Sequence, residues 1–329
     1  MDNTANNTFD YTNKRSFDVY RDTQNMPIVS VDKRQNSVSR SNNVKTIVER
    51  IIWRMNPVMA AKLAAEAFMR PRRNANYMHM LPDGAERISV IYNLRKLAGY
   101  AWGNPCAETV LLVHDWHSNL GSMMHMVEPL VKSGYRVVAF DAPGHGQSPA
   151  QQTHMIAYGE AIRAAMEQFE VKRLVAHGIG ATAALVMLAS VAEMRAQLQQ
   201  IVLLAPISSM HEQVEAFARG RGLPYKQMKG LRMEIERRLS LSIGVCDAVY
   251  AAGMMALPGL IIHDEDDRVA HFSAGLRIAA GWYNAIFEVT SGISHDEMLH
   301  NEDIIDSIID FLVPHRQLTT ETSEAPVVF

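Results

Sequence analysis

The sequence predicts an α/β fold with a mostly parallel central sheet and helices on both of its faces. Short apolar stretches alternate along the chain with segments in which apolar residues recur at helical spacing, an order typical of such sheets. Apolar strands separated by helices favour burial on both faces of the sheet. With 329 residues, 48% of them hydrophobic, the chain can bury a full-sized core, so one large domain is favoured over two small ones.

An N-terminal part is predicted to precede the main domain. Residues 1–43 are rich in Asn, Ser, Thr, Asp and Arg, a composition that cannot offset the entropy lost on ordering, so we expect a mobile tail. Apolar residues then recur at helical spacing over residues 44–55 and, after Asn56-Pro57, over residues 59–68. The sequence therefore predicts two helices within residues 44–77.

Basic residues concentrate in this N-terminal part. Up to Arg73 there are 13 Lys and Arg against 7 Asp and Glu, a charge of +6, which leaves −9 for the remainder of a chain whose net charge is −3. The basic flanks of the two helices could contact an anionic membrane surface, but helices that pack on the domain with a solvated face are favoured. The flanking residues are Arg50, Arg54, Lys62, Arg70, Arg72 and Arg73.

The main domain is predicted over residues 78–316, and it opens with a β-hairpin. The predicted strands cover residues 88–92, 97–102, 109–113, 135–140, 173–177, 200–204, 259–262 and 285–289. The predicted helices cover residues 123–131, 155–169, 181–194, 274–280 and 304–311. The alternation breaks over about residues 207–245, where polar, helix-like sequence predicts a small helical lid. Residues 317–329 are expected to form a flexible tail.

A sharp turn from strand to helix is predicted within residues 173–181, RLVAHGIGA. Its pattern is that of the G-x-S-x-G nucleophile elbow, in which the central serine is presented on a tight turn. Ala176 and Gly180 are small enough for the close crossing of strand and helix. Gly178 stands at the position of the serine, so the backbone turn is kept and the hydroxyl is absent.

Further motifs lie directly after predicted strands. They are VHDWHSN at residues 113–119, DAPGHGQS at residues 141–148, HDEDDR at residues 263–268 and GISH at residues 292–295. In type, order and placement these segments, together with the elbow, resemble the α/β-hydrolase superfamily, specifically its lipase, esterase and peptidase-like branch. The resemblance covers about residues 88–312 and implies the α/β-hydrolase fold.

The resemblance also implies roles for single residues. The chain order would be Gly178 at the nucleophile position, Asp267 as the acid and His295 as the base. In that family the base takes the serine proton while the acid orients and stabilises the imidazole. The oxyanion hole would be formed by the backbone N–H groups of Ile179 and Trp116.

The resemblance leaves the roles of several neighbouring residues unassigned. The acidic residues before Asp267 leave the identity of the acid ambiguous, and a solvated acidic loop is the alternative interpretation. Singly, His114 and His145 are expected to brace loops, while Asp141 and Ser148 are expected to satisfy backbone groups of the turn. The residues expected to line the pocket are His114, Asp115, Ser118 and His177.

Two departures from the family pattern bear on activity. Gly178 offers no atom that could attack a carbonyl. Asp115 stands where much of the family has glycine, which places a carboxylate beside the proposed oxyanion site and opposes a developing negative charge, unless the side chain points away. Replacement of the serine by Ser118 or Thr182 is disfavoured, because neither occupies the apex of the elbow.

Three functions fit these observations. The first is a protein impaired or inactive in ordinary ester hydrolysis that binds a small ligand or a partner. The second is an enzyme that uses Asp267 and His295 as an acid-base pair without a covalent serine step. The third is an inactivated variant of an active serine hydrolase.

The sequence also limits cofactors, partners and location. No phosphate-binding loop, dinucleotide fingerprint or Cys/His zinc pattern is present, so no cofactor or metal is expected. The small net charge disfavours a nucleic-acid partner. Apolar residues would favour an acyl or aromatic ligand, although methionines at helical spacing more often pack in a core; these residues are Met123, Met124, Met126, Met210, Val214, Phe217 and Leu223. Cytoplasmic residence is expected.

Overall fold

The computed structural model describes residues 53–313. The tails predicted over residues 1–43 and 317–329 lie outside this range, as does most of the helix predicted over residues 44–55. Within residues 53–313, no helix is both long and apolar enough to span a lipid bilayer.

The described chain forms one eight-stranded sheet in the order β1-β2-β4-β3-β5-β6-β7-β8. Its strands are β1 Glu86–Tyr92, β2 Arg95–Trp102, β3 Thr109–Val113, β4 Arg136–Phe140, β5 Arg173–His177, β6 Gln200–Leu204, β7 Gly259–Asp264 and β8 Ala285–Thr290. β1 pairs with β2, and β2 with β4, in antiparallel fashion, whereas the other five pairings are parallel. The predicted α/β class with a mostly parallel sheet is confirmed.

Ten α-helices accompany the strands in the described part. They are α1 Pro57–Phe68, α2 Val127–Lys132, α3 Met155–Gln168, α4 Gly178–Ser190, α5 Ala192–Gln197, α6 Met210–Gly220, α7 Tyr225–Leu239, α8 Ala248–Ala252, α9 Phe272–Gly281 and α10 Glu302–Leu312. Buried apolar clusters lie on both faces of the sheet, because alternate residues of a strand point to opposite faces. The carboxyl ends of the parallel strands lie at one edge, where the predicted motifs follow them.

The helix predicted over residues 123–131 is wrong as a single element. A 3₁₀ turn spans Leu120–Met126, and α2 begins only at Val127. This break places Pro129 in the first turn of α2, where a missing backbone N–H leaves no helical hydrogen bond unmade.

The helix predicted over residues 181–194 also differs from the structure. It begins earlier, at Gly178, and it is divided into α4 and α5 at Val191, whose backbone is extended with φ −124° and ψ 95°. The short helix α8 was not predicted. Its sequence signal is Asp247, whose carboxylate accepts hydrogen bonds from the N–H groups of Val249 and Tyr250 and so caps the helix.

The N-terminal helix α1 packs against the lid helix α7. Phe68 of α1 meets Phe217 of α6 edge to face, with ring centroids 5.3 Å apart. The guanidinium of Arg238 donates to the carbonyl of Lys62 at 3.0 Å. The lid helices α6 and α7 both lie within the interval predicted for the insertion, residues 207–245. α1 packs against both of them.

Residues 69–77, here called the strap, run from α1 across the loop that follows β4. The guanidinium of Arg73 donates to the carbonyl oxygens of Gly146 and Ser148, at 2.7 and 2.8 Å. Hydrogen bonds from a charged donor are stronger than those between neutral groups. This basic residue, which belonged to the flank considered for membrane contact, therefore serves to fix a loop of the domain.

Replacing Tyr77 of the strap with phenylalanine should lower the free energy of unfolding by about 1–3 kcal/mol. Tyr77 is buried, and its hydroxyl donates to Asp141 Oδ2 at 2.6 Å, so the variant leaves a buried carboxylate short of one donor. Urea unfolding followed by circular dichroism measures the change. Tyr100→Phe is the matched control, because that hydroxyl contacts only the weakly accepting sulfur of Met78, and unequal losses are expected. An equal loss of unfolding free energy in the two variants would contradict a stabilising hydrogen bond between Tyr77 and Asp141.

Candidate functional site

The predicted elbow is present at the junction of β5 and α4. Gly178 has φ +55°, in the left-handed region that glycine adopts without strain. At Gly180, an added Cβ would lie 2.2 Å from the carbonyl oxygen of His114, so that position has room only for glycine. Gly178 and Gly180 therefore allow the tight turn and the close approach of backbone that the crossing from strand to helix requires.

The carboxylate of Asp115 occupies the space above Gly178. A Cβ added at residue 178 would lie 2.0 Å from Asp115 Oδ1, far inside contact distance. The same oxygen accepts a hydrogen bond from the backbone N–H of Ile179 at 2.5 Å. This N–H is one of the two donors that the family resemblance assigns to the oxyanion hole. One side chain thus fills the space above Gly178 and occupies the N–H that the resemblance assigns to the oxyanion hole.

His295 lies between two carboxylates. Its Nδ1 is 2.7 Å from Asp267 Oδ2, and its Nε2 is 3.5 Å from Asp115 Oδ2. The first contact is a hydrogen bond, whereas the second is an ion pair without good hydrogen-bond geometry. The other oxygen of Asp267 accepts from the N–H groups of Val269 and Ala270, which fixes the carboxylate toward the imidazole.

The geometry distinguishes Asp267 from the other acidic residues of its loop. Asp264 is fully buried, but its Oδ2 accepts from the backbone N–H of Ile293 and thereby holds two loops together. Glu265 and Asp266 are exposed. Asp267 alone in this acidic run contacts His295, the arrangement that the resemblance implies.

The two carboxylates determine the charge of His295. Burial alone would lower the pKa of this imidazole, but the contacts with Asp115 and Asp267 outweigh burial and raise the pKa to about 10. Burial likewise acts to raise the pKa of Asp115, but His295, His177 and the Ile179 N–H outweigh it and lower the pKa to about 2. At neutral pH the site therefore holds an imidazolium between two carboxylates.

His114 braces the site from inside the protein. Its Nε2 accepts from the backbone N–H of Ala142 at 3.1 Å, and its Nδ1 is 2.7 Å from the carbonyl oxygen of Asp115. The carbonyl can only accept, so Nδ1 carries the proton and the ring is neutral. Burial lowers the pKa of His114 to about 4, in agreement with this neutral form.

His177 is also fully buried, directly before the elbow. Its Nε2 donates to the carbonyl oxygen of His295 at 3.1 Å, and the two rings lie 4.4 Å apart between centroids. Burial lowers the pKa of His177 to about 4. Each of His177, His295 and Asp296 offers a ligand atom within 4.8 Å of the others, but His295 is already held by Asp267, so this group belongs to the site above.

Of the other residues considered for the site, Trp116 and Ser118 lie in the loop after β3, and Thr182 lies in α4. Trp116 is mostly buried and packs edge to face on His145 at 5.1 Å. Ser118 is half-buried, and its backbone N–H donates to the carbonyl of Asp115 at 3.3 Å. The hydroxyl of Thr182 donates to the carbonyl of Ile207 at 2.6 Å, which leaves its proton engaged away from the elbow.

The methionines thought to favour a hydrophobic ligand pack in the core. Met123, Met124 and Met126 are at most 3% exposed and belong to the cluster on one face of the sheet. Core packing, which is the more common role of methionines at helical spacing, is confirmed for them, and they do not face a ligand. The compact 3₁₀ turn that replaces the predicted helix directs them inward.

Sequence reasoning missed two parts of the site. It left open the direction of the Asp115 side chain, which the hydrogen bond from Ile179 now fixes. It also missed the strap, whose Arg72 donates its backbone N–H to His117 Nδ1 at 2.8 Å. The only signal for the strap was the cluster of basic residues, and backbone contacts between distant segments leave no pattern in the sequence.

Comparisons with known proteins agree with this architecture. The model of a family described as serine aminopeptidase, S33 matches residues 104–242. A serine hydrolase-like protein from Danio rerio is 32% identical over 95 residues, which cover 27% of this chain and 29% of that protein. The match therefore spans less than a third of the length of this relative.

Solved structures show the same fold. An esterase from Pyrococcus furiosus superposes with a TM-score of 0.55 and 19% identity, covering 74% of this chain and 98% of that one. A bromoperoxidase from Bacillus anthracis gives a TM-score of 0.53 and 17% identity, covering 69% of this chain and 99% of that one. At these identities the likeness concerns the fold.

The sheet order, the turn from β5 into α4, and the contact between Asp267 after β7 and His295 after β8 match the arrangement of the α/β-hydrolase fold, whose sheet is mostly parallel. Together with the family model that matches residues 104–242 and the structural neighbours, they show that the chain has the α/β-hydrolase fold. Esterases are among the proteins that share its fold.

Proposed function

We propose that this chain does not carry out ordinary serine-type ester hydrolysis and instead acts by binding a small ligand or a partner. The observation that carries the proposal is the position of the Asp115 carboxylate. It fills the space in which a side chain at Gly178 would stand, and it accepts the hydrogen bond of the Ile179 N–H. Neither a nucleophile nor a free oxyanion donor is left at the elbow.

The charge of His295 supports the same proposal. A general base needs a lone pair on the nitrogen that faces the substrate. With its pKa raised to about 10 by Asp115 and Asp267 against the effect of burial, His295 is protonated at neutral pH. The same observation opposes the alternative of an enzyme that uses Asp267 and His295 without a serine.

The fit between Asp115 and Gly178 opposes the alternative of a hydrolase inactivated by a single change. With Asp115 in its present orientation, a serine at residue 178 would bring its Cβ to 2.0 Å from Oδ1. An active parent would therefore need a different residue or side-chain direction at position 115. This supports the interpretation that the direction of the Asp115 carboxylate requires a glycine at residue 178.

The unmodified protein should hydrolyse p-nitrophenyl acetate and butyrate no more than about tenfold above the buffer rate, because both catalytic positions at the elbow are taken. A fluorophosphonate probe should label no residue, Ser118 and Thr182 included. The matched control is His295→Ala, which should show the same low rate. An esterase rate that falls by orders of magnitude in His295→Ala would overturn the proposal.

The proposal names the chemical class of the ligand and no particular compound. A small acyl or aromatic molecule remains the prediction, now without the support of the buried methionines. The apolar lid residues Met210 and Val214 are each 1% exposed and also pack inward. Residence in the cytoplasm likewise stays a prediction of the sequence.

A further inference from the structure

A cavity of about 310 Å³ lies away from the residues around Gly178. It is formed by the turn between β1 and β2, the loop between β4 and α3, and the first turn of α3. This volume is at the lower end of the range found for small-molecule sites. None of the residues that line it belongs to the group of Asp115, His295 and Asp267.

One part of the cavity wall is apolar. Leu97 is buried in the core, and Pro143, Pro149 and Ala157 contribute further carbon surface. Tyr92 lies at the end of β1 and is half-buried. Walls of this kind exclude water from a ligand with a hydrocarbon or aromatic body.

The polar part of the wall favours a negative charge. Arg95 is exposed, and no ion pair joins its guanidinium to the other described residues. Of the described residues that line the cavity, none is Asp or Glu. The cavity also lies at the first turn of the 14-residue helix α3, where the helix dipole is positive. A guanidinium pairs readily with a carboxylate.

We propose that this cavity binds a small carboxylate with an apolar body, with Arg95 contacting the carboxylate. The apolar wall would hold the body of the molecule. This site goes beyond the proposed function, because it makes no use of the elbow. Reactivity toward esters tests the first proposal and carboxylate binding tests this one, so either can fail alone.

Isothermal titration calorimetry of the full chain with 3-phenylpropionate tests the site, and neutral 3-phenylpropanamide serves as the uncharged probe. We expect saturable binding of the acid and at least tenfold weaker binding of the amide. Arg95→Gln should weaken binding of the acid at least tenfold, whereas Lys96→Gln, a neighbouring exposed residue outside the cavity lining, should leave it unchanged.

A variant that fills the cavity completes the test. Ala157→Leu places additional carbon atoms in the cavity and should abolish binding of 3-phenylpropionate, with its thermal unfolding midpoint showing that it folds. Arg95 is exposed, so Arg95→Gln should fold normally. Its binding of 3-phenylpropionate therefore tests the site even if Ala157→Leu does not fold. The proposal is overturned by absence of saturable binding at millimolar concentration, by equal binding of acid and amide, or by unchanged binding in Arg95→Gln.

Discussion

The double variant Asp115→Gly with Gly178→Ser should hydrolyse p-nitrophenyl butyrate on the order of 10³-fold faster than the unmodified protein. Loss of a serine and its base costs about 10⁶ in kcat in a serine protease, so partial restoration of this size is a modest expectation. The glycine removes the carboxylate that faces His295 Nε2 and frees the Ile179 N–H for an oxyanion. The serine then stands next to an imidazole held by Asp267.

Each single variant serves as a control for the pair. Gly178→Ser alone should stay inactive and lose stability, because its Cβ would meet Asp115 Oδ1 at 2.0 Å. Asp115→Gly alone should stay inactive, since it supplies no nucleophile. Stopped-assay rates and urea unfolding of all three variants measure these outcomes. Full activity of Gly178→Ser by itself would show that the carboxylate does not block the elbow.

Asp115→Asn should lower the pKa of His295 well below its value of about 10 and lower the free energy of unfolding at pH 6 by about 1–3 kcal/mol. Burial already acts against the charged imidazole, so removing one of its two carboxylates leaves the imidazolium less stabilised. Titration of the imidazole carbon-bound protons by nuclear magnetic resonance measures the pKa. Asp266→Asn, at an exposed acidic residue of the same loop as Asp267, is the control and should change neither quantity.

The same ion pair sets a pH window for stability. The folded-state pKa of His295 lies above its unfolded value of about 6.5, so its contribution is complete below pH 6.5 and is lost as the pH rises through about 10. Asp115 has the opposite sign, since its pKa is lowered to about 2, and its contribution is lost as the pH falls toward that value. The difference in stability between the unmodified protein and Asp115→Asn should therefore be largest at about pH 4–6.5 and shrink above pH 10. A difference that grows from pH 7 to pH 10 would contradict this.

Much of the fold was predictable because strands and helices leave a periodic pattern. The strands at residues 109–113, 173–177 and 200–204 were predicted with the bounds that the structure shows. The errors concern interruptions within predicted helices, which the spacing of apolar residues does not indicate. Pro129 disfavours the interior of a helix, a local signal that the single helix predicted over residues 123–131 did not take into account. Val191 has no breaker signal, so the interruption there depends on tertiary packing.

The site was predictable in its residue types and less so in its geometry. Chain order and motif placement pointed to Gly178, Asp267 and His295, but no pattern in the acidic run 263–268 says which carboxylate turns toward the imidazole. The direction of Asp115 depended on a hydrogen bond to a backbone group 64 positions away. Contacts of this kind are properties of the assembled loops and have no local signature.

The packing of α1 on α7 has a consequence for how the chain is made. About 157 residues separate the end of α1 at Phe68 from the start of α7 at Tyr225. At roughly 5–20 residues per second, a ribosome needs about 8–30 s to cover that distance. During this interval the apolar side of α1, which includes Ala61, has been synthesised without α7, the helix that packs against it. A nascent chain halted before Tyr225 should therefore be bound by chaperones that recognise apolar segments, and a chain halted after Leu239 should be released from them.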